Sequence, residues 1–365
     1  MLRSRLVRPA LFASTADASA LRGCAVSLPY DRESLAPGEV LPVRQEWFLR
    51  ALLDARSLYF DGGRTNLGDA LLGLSHLEAI RDADGLLGLH LPLTASPDIA
   101  RLLNVPAATR PPEGSTVISV APDGNGELRP RGNVPAFRTS TRVYADAPAR
   151  HYLDVERRLG LRLPRNEAFL PALSARRAED RQRPLICYVA ASSWPPKKDY
   201  GVRGFARVAR QIDALTGRDF DHLLIPGVDE PLNTHPPLQT LPADSLGLPA
   251  VLRLFAQATL VIGNDTGLVH AAAMTKSHVR RGVIGIYGRH SYLRLTTGDP
   301  RHYAIATPFA QAMALSDRSP HPGMIDDDWY PRAAPIRRIA PEFIAECARR
   351  VLDSQGSLPK SYDPA

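Results

Sequence analysis

Short apolar runs alternate with amphipathic segments in the second half of the chain, and this alternation constrains the fold more than any other feature. Strands alternating with helices are typical of a parallel sheet that carries helices on both faces. Residues 184–335 are therefore predicted to form a doubly wound, Rossmann-like α/β domain. Its predicted strands are LICYVAA (185–191), HLLIPG (222–227), TLVIGND (259–265) and GVIGIYG (282–288), and its predicted helices lie at 201–217, at 248–258 and from Thr266 onwards.

The first half repeats this organisation less clearly. It has predicted strands at 57–63, 86–93, 116–122 and 141–148, with an amphipathic helix over 67–83. A chain of 365 residues is long enough for two domains. We predict an N-terminal extension (1–56) with one short helix near 45–55, a Rossmann-like domain (57–175), a second such domain (184–335), and a C-terminal segment (336–365). The helix of that last segment, at 341–354, is expected to pack back on the first domain.

Composition favours a globular protein that acts on small molecules. Hydrophobic residues make up 44% of the chain, and the net charge of +7 comes mainly from arginines that are scattered over every segment. Scattered arginines without interleaved aromatic residues do not predict a nucleic-acid groove. The sequence contains no apolar stretch of the length that crosses a bilayer, so we expect at most peripheral membrane contact. Three well-separated cysteines, Cys24, Cys187 and Cys347, favour reduced thiols and a cytoplasmic location.

The segment TLVIGNDTGLVHAAA (259–273) has the most specific pattern. A buried strand runs into a polar turn and then a helix, so free amide N–H groups and the positive end of the helix dipole would face a ligand. Such a corner binds a diphosphate. Thr266, Gly267 and His270 are the predicted donor contacts, and Asp265 mainly organises the loop. The alternative is that Asp265 caps the helix, His270 is a core residue and Gly267 only permits close packing.

A second polar segment follows the strand at 185–191. Ser192 and Ser193 end the strand, and Lys197 and Lys198 precede the next helix in a chain that contains only four lysines. Two hydroxyl groups and two ammonium groups could neutralise the charge that develops on a departing diphosphate. An exposed lysine pair in a proline-containing loop is the alternative.

The third segment, FDGGRTNLGDALLGL (60–74), lies in the other domain. Asp69 falls in the first turn of a predicted helix, where a carboxylate stays ionised. It could accept the proton of a hydroxyl group that attacks a substrate. The alternative is an ordinary acidic residue at a helix N-terminus.

The remaining acidic residues predict no metal centre. Glu230 follows a strand end and could accept a hydrogen bond from a ribose. The run 326–328 of three aspartates is more typical of a solvated turn than of a cation site. The common hydrolase, zincin and P-loop motifs do not occur.

The motifs NLGDALLG, SSWPPKK, LFAQATLVIGNDTGLVHAAA and GVIGIYG, in this order, resemble glycosyltransferase family 9, the heptosyltransferase family, over residues 57–352. The resemblance implies two Rossmann-like domains that face each other across a cleft (the GT-B fold), with the acceptor domain first and the donor domain second. It implies a bacterial, inverting, metal-independent enzyme without a cofactor, which transfers a heptose-like sugar from an ADP-type donor. Asp69 would be the catalytic base. The donor phosphates would be bound by Ser192, Ser193, Lys197, Asp265, Thr266, Gly267 and His270.

Two departures concern the substrates. The chain has about 55 residues before the first strand of the resemblance, and GRHSYLRLTTGDP follows GVIGIYG where the family tends to have a Gly-x-Thr turn. We therefore expect a hydroxyl or amine acceptor that could be a small natural product. Two alternatives stay open, namely a nucleotide-sugar-binding protein with a degenerate site and an epimerase or phosphorylase of the same fold.

Overall fold

The structure is a computed structural model that describes most of the second half of the chain and shorter stretches of the first half. The described residues are 10–13, 25–27, 58–61, 67–87, 93–94, 97–103, 116–119, 127–128, 130–131, 137–138, 152, 162–163, 172–173, 175, 182–192, 195–227, 235–241, 247–276, 281–297, 299, 301–318 and 336–357.

One parallel sheet organises the second half. Its strands are β9 (Leu185–Val189), β10 (Asp221–Ile225), β11 (Gln239–Thr240), β12 (Ala258–Asn264), β13 (Gly282–Tyr287) and β14 (His302–Ala306). They lie side by side in the order β11-β10-β9-β12-β13-β14. In chain order this is 3-2-1-4-5-6, the strand order of a dinucleotide-binding Rossmann sheet. The predicted doubly wound architecture is confirmed.

Helices cover both faces of this sheet. They are α3 (Pro195–Lys198), α4 (Val202–Thr216), α5 (Leu248–Gln257), α6 (Gly267–Met274), α7 (Tyr292–Leu295), α8 (Pro308–Arg318) and α9 (Pro341–Ser357). Alternate residues of a strand point to opposite faces. Cys187 and Val189 accordingly join one core cluster with α5 and α6, and Ile186 and Tyr188 join another with α4 and α9.

The first half contains a smaller sheet and two helices. The sheet has the order β4-β3-β5-β7, where β3, β4 and β5 are parallel and β7 is antiparallel to β5. Its strands are β3 (Leu58–Asp61), β4 (Leu93–Thr94), β5 (Thr116–Ser119) and β7 (Pro130–Arg131), and β6 (Glu127–Leu128) pairs with β8 (Phe137–Arg138) apart from it. The helices are α1 (Leu67–Leu87) and α2 (Pro97–Leu103).

Helix α1 joins the core of the second half. Leu71, Leu74 and Leu77 are buried in the cluster that also holds Val269 and Met274 of α6. The apolar face of α1 therefore holds the N-termini of α1 and α6 in fixed relative positions.

Two predictions about the end of the chain and its connections differ from the structure. Packing of the C-terminal helix on the first domain was expected, but among the described residues α9 packs on α4, β12 and β13, because Phe343, Ile344 and Val351 complete the apolar cluster on that face of the larger sheet. The strand expected at 86–93 cannot begin at 86, because α1 continues to Leu87, and the structure describes a strand, β4, at Leu93–Thr94. Strands β1 (Ala10–Ala13) and β2 (Ala25–Ser27) extend the larger sheet beyond β14. The features expected at 45–55 and 141–148 lie outside the described residues, and the domain boundaries stay predictions.

Candidate functional site

The polar segments predicted from the sequence meet where the strand order of the large sheet reverses. Strands β9 and β12 are neighbours, with Val189 opposite Gly263, although β10 and β11 lie between them in the chain. Connections from the two strands leave in opposite directions, which opens a crevice outside their carboxyl ends, and open α/β sheets bind ligands there. Ser192 follows β9, and Asp265 and Thr266 follow β12.

Asn264 fixes the two loops at this crevice. Its side chain is fully buried, its Nδ2 donates to the carbonyl of Ala190 at 2.9 Å, and its Oδ1 accepts from the amide of Tyr200 at 3.0 Å. One amide group thus ties the end of β12 to the loop after β9 and to the segment before α4. A satisfied buried amide of this kind sets the loop geometry, because breaking it would leave polar groups unpaired.

Thr266 begins helix α6. It has extended backbone angles, and its Oγ1 accepts a hydrogen bond from the amide of Leu268 at 3.1 Å. Thr266 is therefore the N-cap, and the alternative that Asp265 caps the helix is wrong.

Gly267 brings α6 into backbone contact with α1. A β-carbon built on Gly267 would lie 2.9 Å from the Cα of Gly68 and 2.9 Å from the carbonyl carbon of Leu67. Distances below 3.0 Å leave no room for a side chain. Asp69 directly follows Gly68 and lies in the first turn of α1. The first turns of two helices, one from each half of the chain, thus meet at the site.

Asp265 is the centre of a buried charge cluster. It is 4% exposed, and its Oδ2 lies 2.9 Å from Nζ of Lys198 and 3.1 Å from Nδ1 of His290. Burial alone would raise the pKa of Asp265, but the hydrogen bond from His290 and the charge of Lys198 outweigh it and hold this pKa well below the usual range. Asp265 is therefore ionised, and it anchors the ammonium group of Lys198 and the ring of His290. The expectation that Asp265 mainly organises the loop stays a prediction.

His270 lies in the first turn of α6, next to the same charge cluster. It is 3% exposed, and burial lowers its pKa to about 4, with Asp265 acting in the opposite direction and Lys198 in the same direction as burial. A neutral imidazole has one nitrogen donor and one acceptor. Within the described part of the chain, its Nδ1 has no hydrogen-bond partner. His270 is therefore a neutral histidine that keeps one nitrogen available.

The structure brings together most of the predicted site residues. Ser192 is half-buried beside the crevice, and Lys198, Asp265, Thr266, Gly267 and His270 line one corner of it. The side chains of Asp69 and Lys197 lie outside what the structure describes, although both residues belong to helices. Ser193 and Glu230 lie outside the described residues altogether.

His290 is the residue that sequence reasoning missed. It follows β13 and reaches Asp265 across 25 positions of the chain. The departure from a Gly-x-Thr turn at this point was visible in the sequence, but nothing local indicated its partner.

The described residues lack two kinds of feature, a cluster of metal ligands and a membrane-spanning helix. No group of three or more histidine, cysteine or acidic residues in the described stretches could hold a metal ion. None of the described helices combines the length and the apolar character needed to cross a membrane.

Comparison with known proteins finds a family model that matches part of this site. Residues 231–319, which contain β12, α6, β13, Asp265 and His290, match the family model for glycosyltransferase family 9 (heptosyltransferase). Over these residues the chain is similar to that family. No curated protein sequence matches it.

Several solved structures have the same fold as this chain. The iron-containing heptosyltransferase TibC of enterotoxigenic Escherichia coli, in complex with ADP-D-beta-D-heptose, has a TM-score of 0.53 at 16% identity, with 82% of this chain and 77% of that chain covered. A family 9 glycosyltransferase from Veillonella parvula has a TM-score of 0.51 at 14% identity, with 82% and 98% covered. Heptosyltransferase WaaC of E. coli with ADP has a TM-score of 0.50 at 12% identity, with 82% and 99% covered. The GT-B prediction is confirmed.

Proposed function

We propose that this protein is an inverting glycosyltransferase that moves a sugar from a nucleoside-diphosphate donor to an acceptor hydroxyl or amine. The acceptor oxygen or nitrogen attacks the anomeric carbon and transfers its proton to Asp69. The bond from that carbon to the donor phosphate breaks, and the electron pair leaves with the diphosphate. Attack opposite the leaving group inverts the anomeric centre.

The observation that carries this proposal is the contact between Gly68 and Gly267. It places the first turn of α1, which contains Asp69, directly against the first turn of α6. The N-terminus of a helix attracts anions through its free amide groups and its dipole. A diphosphate at the N-terminus of α6 would therefore lie within reach of the turn that carries the proposed base.

The position of Lys198 supports the proposal that this corner binds the leaving diphosphate. Lys198 is held on Asp265 with 14% of its side chain exposed. Charge that is prepositioned in a partly dry site stabilises a departing anion without reorganisation in the transition state. Lys197, Ser192 and Ser193 belong to the same segment, and we propose that they complete the phosphate site. We propose that these residues, rather than a metal ion or a cofactor, neutralise the leaving group.

The proposed donor is an ADP-linked heptose or a related sugar. TibC is described with ADP-D-beta-D-heptose and WaaC with ADP, and the fold likeness makes this donor class the first to test. Glu230 is the proposed ribose contact. The acceptor is proposed to be a small molecule, such as a natural product, and the reaction to take place in the bacterial cytoplasm, with at most peripheral membrane contact and no nucleic-acid partner.

Replacing the proposed base tests the reaction. Asp69→Asn removes the proton acceptor but keeps the size of the side chain, so we expect turnover to fall by about 10²-fold to 10⁴-fold while donor affinity stays within about twofold. Asp353→Asn makes the same chemical change at an exposed position of α9 and should leave turnover unchanged. Unchanged turnover in Asp69→Asn would show that the base lies elsewhere.

A thermal-shift series tests the donor. ADP, GDP, UDP and TDP are compared at equal concentration, so that the tightest ligand gives the largest shift in melting temperature. A ligand at 100 times its dissociation constant stabilises a protein by about 2.7 kcal/mol. We expect ADP to give the largest shift and EDTA to leave turnover unchanged. Incubation with the nucleotide sugar alone separates the alternatives, since an epimerase forms product without an acceptor and a binding protein forms none under any condition.

A further inference from the structure

Beyond the proposed transfer, the turn after β13 places a histidine, His290, beside the phosphate corner, by which we mean Lys198, Asp265 and the N-terminus of α6. His290 keeps 30% of its side chain exposed, whereas Asp265, to which it binds, is 4% exposed. The imidazole thus has one edge on a buried carboxylate and the other edge towards solvent.

The turn that carries His290 is held firmly. The hydroxyl of Thr307 donates to the carbonyl of Gly288 at 2.6 Å, and the amide of Thr307 donates to the carbonyl of Tyr287 at 2.9 Å. On the other side, the amide of Asp265 donates to the carbonyl of Ile286 at 3.1 Å. Because supporting bonds of this kind fix both backbone segments, the ring has a defined position relative to the corner.

The chemistry of the pair defines which nitrogen is available. An ionised carboxylate only accepts hydrogen bonds, so Nδ1 of His290 carries the proton that it shares with Asp265. Nε2 lies on the opposite edge of the ring. Among the described residues it has no hydrogen-bond partner. A protonated ring would donate from Nε2 to an anion in the crevice.

The charges around Asp265 favour an anionic occupant. One carboxylate accepts from both Lys198 and His290. Lys198 alone balances the charge of Asp265, so the cluster carries no excess negative charge beside the N-terminus of α6. A diphosphate is the anion that the proposed function supplies there.

We propose that His290 is a phosphate-binding residue of the donor site, whose Nδ1 is fixed by Asp265 and whose Nε2 donates to the second phosphate of the nucleoside diphosphate. This inference rests on the proposed function. It adds a side-chain donor from the turn after β13 to the ammonium group of Lys198 in α3 and the N-terminal amides of α6, so three segments that follow strands of the large sheet bind the leaving diphosphate.

Two substitutions separate the two edges of the ring. His290→Asn keeps a donor at the position of Nδ1 and removes the distal group, whereas His290→Gln places an amide near the position of Nε2. His235→Asn, at a half-exposed position after β10, is the matched control. Titration calorimetry with ADP, AMP and inorganic pyrophosphate measures binding, and the melting temperature reports the integrity of the fold.

We expect His290→Asn to weaken ADP and pyrophosphate about tenfold or more, since a charge-assisted hydrogen bond is lost, and to change AMP by less than about twofold. His290→Gln should recover part of the loss, and His235→Asn should behave like the parent. Equal losses for ADP and AMP, or unchanged ADP binding in His290→Asn, would refute the role of His290 while leaving the proposed function intact. A parent protein that binds ADP no better than AMP would instead refute the proposed function, and this inference with it.

Discussion

The backbones of Gly68 and Gly267 touch, so that the first turns of α1 and α6 meet without a side chain between them. This contact joins the two halves of the chain at the place where the proposed base and the proposed phosphate site come together. Its tightness makes the alignment of the two helices sensitive to a single methyl group.

Gly267→Ala should therefore separate the two helices. The added β-carbon would lie 2.9 Å from the Cα of Gly68, and relieving such a contact costs about 1–3 kcal/mol of unfolding free energy. Because a small misplacement of reacting groups slows transfer strongly, we expect turnover to fall by about 10²-fold. Urea denaturation and steady-state kinetics measure the two effects.

Gly247→Ala is the matched control for this change. Gly247 precedes α5, and its nearest neighbour beyond the adjacent residues is Cδ of Pro249, at 3.7 Å from a built β-carbon. This variant should retain both stability and turnover. If Gly267→Ala behaved like it, the contact between α1 and α6 would not set the geometry of the site.

Removing Lys198 should have separate effects on stability and on binding. Lys198→Met leaves the buried carboxylate of Asp265 with His290 as its remaining described partner, and unpairing a buried charge costs about 3 kcal/mol. The double variant Lys198→Met/Asp265→Asn removes both charges and should recover most of this loss. Donor affinity should remain low in both variants, because the cation is absent from both. Denaturation curves and nucleotide titrations give the two quantities.

Two outcomes for the variants of Lys198 and Asp265 would contradict this prediction. If the double variant were as unstable as Lys198→Met, the two side chains would not be coupled through charge. If it bound donor as tightly as the parent protein, Lys198 would contribute to folding alone.

Buried His270 should make stability fall in weak acid. Burial lowers its folded pKa to about 4 from a reference value of 6.5. Since the folded pKa is the lower one, the unfolded chain binds the proton first as pH decreases. Stability is therefore full above pH 6.5 and falls between pH 6.5 and pH 4, by about 1.4 kcal/mol per pH unit for this group. Urea denaturation at pH 7 and pH 5 should show a loss of about 2 kcal/mol from His270.

The variant His270→Gln tests whether His270 causes this dependence of stability on pH. His302, whose pKa burial lowers to about 3, contributes in the same direction, so His270→Gln should reduce the slope without abolishing it. His235→Asn should retain the whole slope. An unchanged slope in His270→Gln would show that another group takes up the proton.

Much of the second half could be predicted because its strands are buried on both faces. Continuous apolar runs such as those at 185–191 and 282–288 mark strands without reference to any partner. The predicted elements there agree with β9, α4, β10, α5, β12, α6, β13 and α9 within a few residues. Strand β14 (His302–Ala306) was missed because its first residue is a histidine, which is buried in the fold by contacts with residues such as Thr297, Tyr287 and His270.

The phosphate corner was predictable in position but not in its internal pairing. A polar turn between a strand and a helix, as at Thr266 and Gly267, is visible in the sequence. The sharing of Asp265 by Lys198 and His290 depends on how β9, β12 and β13 lie side by side. Such pairing is a property of the sheet, and no local pattern contains it. The role of the Asp69 side chain as the base remains a prediction.

The position of the C-terminal helix has a consequence for synthesis of the protein. Ile344, Ala348 and Val351 of α9 share a buried cluster with strands that are made more than 50 residues earlier, such as β9 and β13. On the ribosome, the part of the sheet that α9 covers stays exposed until α9 itself has emerged. The nascent second half is thus vulnerable to aggregation after β14 and before α9 is made, which is the stage at which a chaperone would be needed.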